Sequence, residues 1–107
     1  TDYGGDKAIF AFGYLGSDNI ANVSNLVSNT GVVASDTAGV GTQRTSGSAS
    51  GYGGDKAILG FGNSNTASTT PTNISNKVSS SGVIASDTTG VGTSRYKLAS
   101  SGYSQSA

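Results

Sequence analysis

The chain has 107 residues, six basic and six acidic, and contains no His and no Cys. Ser, Thr, Gly and Asn supply 56 of the residues and only 34% are hydrophobic, so little side-chain area is available to offset the entropy of ordering the backbone. A net charge of zero leaves no electrostatic footprint for nucleic acid or an anionic membrane, and the missing His and Cys exclude imidazole acid–base catalysis, thiol nucleophiles and zinc sites.

Such a composition invites disorder, but only 11% of residues are charged and the apolar ones sit in compact β-type runs. No apolar run is long enough to insert in a bilayer. The chain opens at Thr1 with neither an initiator Met nor a visible signal peptide, and is expected to be a processed product, an excised domain or a fragment.

In chain order, "DYGGDKAIFAFG" (2–13) opens with Gly4-Gly5, which calls for a tight turn at positive φ, and continues into a strand over 7–13. Alternation there puts Ala8, Phe10 and Phe12 on one face and Ile9 and Ala11 on the other, a pattern expected of a strand covered on both sides. Tyr14 is expected in the loop that follows, beside the polar "LGSDN". "NVSNLVSN" (22–29) and "TGVVASDT" (30–37) read as two strands meeting in a turn near Asn29 and Gly31. "GVGTQRTSGSAS" supplies a turn and a fourth strand, with Arg44 at its start.

The phrase then repeats. "GYGGDKAILGFG" (51–62) copies the opening, with Gly53-Gly54 at the turn, and "SSSGVIASDTTGVGTSR" (79–95) copies residues 28–44. The intervening "NSNTASTTPTN" holds the single Pro and reads as a loop that absorbs a two-residue insertion. A third copy starts with "RYKLASSGY" (95–103), and "SRYKLAS" is expected to be a better fourth strand than its first version. The division is therefore 1–51, 52–94 and 95–107, the last being the first strand of a third repeat. Nothing in the chain has helical periodicity.

The order Arg, apolar strand, Gly-Gly, apolar strand ending in Phe-Gly, variable loop and "GVVASDT" resembles kelch-type repeats. It is similar to the kelch-like repeats of marine bacteriophage structural and tail-fibre proteins, carried here by Arg44, Gly53, Gly54, Phe61, Gly62, Asp87 and Arg95. Val40 and Val91 stand where such repeats often place an aromatic residue. The resemblance implies an all-β fold with two four-stranded propeller blades per chain, no shared chemistry, no cofactor and, for a phage protein, a virion-surface or extracellular location. Two blades leave apolar sides bare. Either the chain is a piece of a longer one, or copies assemble head to tail, three giving six blades or four giving eight, with 95–107 clasping the N-terminal blade of a neighbour.

Asp36 and Asp87 occupy equivalent places in "ASDT(A/T)GVG". An extra residue separates Thr from Gly, which departs from the aspartic-protease motif, so each Asp is expected to cap a turn or pair with the Arg eight residues on, Arg44 or Arg95. "GYGGDK" lacks the spacing and the Ser or Thr of a phosphate loop, and Asp6 and Asp55 are isolated carboxylates rather than a calcium cage. Asn22 and Asn73 stand in equivalent glycosylation sequons. The ligand-binding candidates are Tyr14, Asp18, Asn19, Asn63 and Asn65, polar loop residues of the kind that hold sugars; the recurrent Tyr3, Tyr52 and Tyr103 are expected to pack. Three functions follow: a non-enzymatic structural or adhesive propeller module touching a partner or surface glycan, a lectin-like sugar-binding propeller, and an engineered or excised two-blade fragment that self-assembles.

Overall fold

The computed structural model describes residues 1–88 and 90–103. Among these residues the fold is all-β: six strands form two three-stranded antiparallel sheets. The first holds β1 (Asp2–Tyr3), β2 (Lys7–Gly16) and β3 (Asn19–Val27), and the second β4 (Ser48–Tyr52), β5 (Lys56–Gly60) and β6 (Ser75–Val78). In each sheet a Gly-Gly turn joins the first strand to the second, with Gly4 and Gly5 at φ +61° and +82° and Gly53 and Gly54 at +63° and +81°. A Cβ on Gly4 would also stand 2.8 Å from the Ser80 carbonyl oxygen, so both conformation and contact demand glycine there.

Three expectations are corrected. First, the strand expected over 30–37 and its second copy are not regular strands among the described residues, and each sheet has three strands instead of four: residues 33–37 join β3 only through the bridges Val27–Val33 and Ser24–Thr37, and 84–88 join β6 through Val78–Ile84 and Ser75–Thr88. In both, four steps on one side face three on the other, so an extra residue forms a bulge that ends regular pairing beside Asp36 or Asp87. Second, "SASGY" pairs with β5 and belongs to the second sheet instead of closing the first. Third, "SRYKLAS" is not a strand. Arg95 bridges Thr72, Lys97 turns at φ +55°, and Ser100 donates to the Ala49 carbonyl, so residues 95–103 lie against β4 of their own chain. The last four residues of the 95–107 segment lie outside the described residues.

The Phe12 face is corrected as well. Phe12 sits unpaired at a bulge with φ +64°, joins the cluster around Ile9, and lies beneath the Arg44 guanidinium at 4.3 Å. Phe61 repeats this at φ +62° under Arg95 at 3.9 Å. A left-handed conformation costs a non-glycine residue about 1–2 kcal/mol. A guanidinium over the ring returns a similar amount, about 0.5–2 kcal/mol.

The core lies between the sheets. Tyr3 and Ile9, with Ala11 and Leu26 at the margin, meet Ala57, Leu59, Val78 and Ile84. The two contributing faces are not equivalent. Ile9 faces inward from β2, whereas its counterpart Ile58 faces away from the seam and the neighbouring Ala57 and Leu59 face it. One unit thus offers its back and the other its front.

Candidate functional site

Polar groups complete the seam between the sheets. Arg44 is 2% exposed and donates from Nη2 to Asn76 Oδ1, and Asn76 is fully buried. Asn76 Nδ2 in turn donates to the Ala85 carbonyl at 3.1 Å and to Asp87 Oδ1 at 2.9 Å. Asp87 also accepts the Thr42 amide at 3.1 Å and the Thr42 hydroxyl at 2.7 Å. The result is a relay from Arg44 through Asn76 to Asp87, closed by Thr42. The Gly4 amide adds a backbone bond to the Asp55 carbonyl at 2.6 Å.

The expected pairing of each Asp with the Arg eight residues on does not occur among the described residues. Asp36 accepts from Asn25 Nδ2 at 2.7 Å, and the charge acting on Asp87 is Arg44 of the other unit rather than Arg95. The bulge explains this: it aims the carboxylate along its own sheet, toward the amide of Asn25 or Asn76. The salt bridges among the described residues are instead the adjacent pairs Asp6–Lys7 and Asp55–Lys56, both solvent-exposed.

Desolvation pushes Arg44 down from its ordinary range, opposed by the charge of Asp87. For Asp87, burial acts to raise the carboxyl, but hydrogen bonds from Thr42 and Asn76 and the charge of Arg44 together hold it below its usual value. A depressed folded value means that Asp87 stabilises the fold above the unfolded value and loses that contribution as pH falls through the folded one. Urea melts should therefore show stability dropping below about pH 4. Asp87→Asn should lower stability at neutral pH and flatten that acid limb; an unchanged limb would contradict the assignment.

The sugar-type candidates divide. Tyr14 lies on β2 instead of in a loop, is exposed, and accepts the Asp18 amide on its hydroxyl at 3.2 Å. Asn19 Nδ2 reaches the carbonyls of Gly16 and Ser17, so Tyr14, Asp18 and Asn19 shape one hairpin tip. Asn63 is buried, a correction to its reading as a loop ligand: its Oδ1 accepts the amides of Asn65 and Thr70 and holds the 64–70 loop. Asn65 caps Ala67 and Ser68. No hydrogen bond among the described residues joins the Tyr14 group to the Asn63 group. The sequon residues Asn22 and Asn73 donate to the Gly41 and Gly92 carbonyls.

A broad cleft of about 710 Å³ runs past Tyr3, Tyr52 and Tyr103, with Asp2, Asp55 and Lys56 at its wall. The three recurrent rings differ in burial: Tyr3 is 4% exposed, Tyr52 41% and Tyr103 still more. Asn76 and Thr42 are the functional residues that pattern reading passed over. The signal for Asn76 was an Asn at the same place in two β-type runs, "VSNLV" and "ISNKV". Comparison with family models, curated proteins and solved structures finds no match.

Proposed function

We propose that this chain is a non-enzymatic structural or adhesive module that associates head to tail, its repeated units acting as the blades of a kelch-like propeller of the phage-fibre kind. A ring of three copies and six units is the assembly expected from the resemblance. The observation that supports this reading is the mismatch in burial between equivalent positions. Leu59 is 6% exposed and Ile84 8%, while their counterparts on the first unit, Phe10 and Val33, are 62% and 53% exposed. Phe10 and Val33 of the front face that the second unit buries are thus exposed on the first, and on the back face Tyr52, the counterpart of buried Tyr3, is 41% exposed, while Ile58 and Phe61 are partly covered. The two free faces are the two halves of a seam the chain already makes once, and joining them by rotation generates a heterologous, ring-forming contact. Covering a side chain such as Phe10 contributes about 1.5–3 kcal/mol.

Hairpin tips such as that of Tyr14, Asp18 and Asn19 would then repeat around the assembly, giving weak contacts to a partner surface or glycan the benefit of multivalency. Association of folded chains makes the melting temperature rise with protein concentration. Thermal melts over a hundredfold concentration range should show that rise, and a concentration-independent midpoint would contradict the proposal. The tyrosine-lined cleft favours the lectin-like alternative; defined binding of one sugar on a glycan array would support it, and a blank array would leave the structural reading.

A further inference from the structure

We propose that adjoining copies of this chain lock through Thr93 and Arg95 of one copy on Asn25 and Asp36 of the next. The proposal rests on the head-to-tail reading above and adds the groups that set its register.

Inside the chain the polar lock has two halves, and each half exists a second time without its mate. Arg44 is held over Phe12 with Nη1 donating to the Thr42 carbonyl at 3.0 Å, which leaves Nη2 for Asn76. Arg95 is held over Phe61 with Nη1 donating to the Thr93 carbonyl at the same 3.0 Å. Its Nη2 has no hydrogen-bond partner among the described residues. On the other half, Asn76 spends its amide on the Ala85 carbonyl and Asp87, and offers Oδ1 to the guanidinium. Asn25 spends its amide on the Ala34 carbonyl at 3.2 Å and on Asp36 at 2.7 Å, and its Oδ1 is likewise left to accept. Both unmated halves are already held in the mated geometry, so docking orders few side chains.

The surrounding shape agrees. Tyr3 is buried against the turn at Gly82, where a Cβ would stand 3.0 Å from its ring. Tyr52 is the equivalent ring at 41% exposure, and Gly31 is the same turn with no atom within 4 Å of an added Cβ. A Cβ on Gly41 would stand 2.6 Å from Asp87 and 2.7 Å from Asn76, whereas the atoms nearest a Cβ on Gly92 belong to Phe61 and Arg95, at 3.5 Å or more. A front face carrying Asn25 and Asp36 therefore accepts the back face of its own kind and leaves a foreign apolar surface with an unpaired guanidinium and carboxylate.

Two double variants test this by sedimentation velocity. Asn25→Ala with Asp36→Ala disables the front, and Thr93→Val with Arg95→Ala disables the back. Each alone should self-associate about ten- to hundredfold more weakly than the unaltered chain, the usual effect of losing hydrogen bonds to charged groups. An equimolar mixture should recover a two-chain species, because the intact back of the first meets the intact front of the second; that recovery also shows both variants to be folded. Arg95→Lys keeps a cation over Phe61 but loses the fork, and should fall with the Ala variant. Variants that assemble as tightly as the unaltered chain, or a mixture that gains nothing, would overturn the lock while leaving head-to-tail association standing. An unaltered chain that sediments as a single molecule would remove the association itself and the lock with it.

Discussion

Asn76→Ala is expected to destabilise the fold by about 3 kcal/mol, because it strands a buried guanidinium and opens a cavity in the seam. Asn76 is fully buried and serves at once as acceptor for Arg44 and donor to Asp87 and the Ala85 carbonyl. The informative comparison is Asn25→Ala, the same change at the equivalent position of the first unit. Asn25 is half-buried and holds no guanidinium among the described residues, so the loss in dilute solution should stay within about 0.5 kcal/mol. Urea denaturation of the two variants side by side measures both. Equal losses would mean that the relay across the seam contributes nothing beyond the local amide contacts that the two residues share.

Phe10→Asp should have the opposite profile, leaving the chain folded and abolishing its association. Phe10 projects from β2 on the side away from the core, so a carboxylate there stays in water while the chain is alone. In the proposed contact it would take the place that Leu59 holds in the internal seam, and burying an unpaired charge is far costlier than losing a ring. The loss of the ring alone accounts for about ten- to hundredfold in affinity, and the charge should bring the total beyond a thousandfold. Leu59→Asp places the same carboxylate inside the existing core and should prevent folding. Circular dichroism and sedimentation on the pair separate the two effects. A Phe10→Asp chain that still associates would show that this face is not a contact.

Much of the fold was legible because the chain states its pattern twice. The Gly-Gly turns need positive φ, and "KAIF" and "KAIL" alternate cleanly, so β2 and β5 begin where the sequence places them, at Lys7 and Lys56. The strand expected after the turns at Gly31 and Gly82 was less legible. A one-residue bulge beside Asp36 and Asp87 interrupts pairing, and β-propensity gives no sign of such an insertion. Phe12 and Phe61 mislead for a related reason, since alternation assumes extended backbone and both adopt positive φ under an arginine.

The candidate site was less visible still. Tyr14 and Asn63 drew attention as polar or aromatic loop residues, yet one lies on a strand and the other is buried as the anchor of its loop. The seam uses residues of ordinary appearance, Thr42, Asn76 and Asp87, whose role depends on which unit stands beside which. The repeat offsets mark which residues are equivalent, but not which unit presents its back and which its front. That choice is made by packing, where Ile9 turns inward on one sheet and Leu59 on the other.

The most direct measurement is the mass of the unaltered 107-residue chain by light scattering as it is diluted. The proposed head-to-tail contact predicts an assembly of several chains, three for the proposed six-unit ring, that falls apart at low concentration. A single-chain mass of 10.5 kDa at every concentration, with Phe10 and Val33 left in water, would contradict it.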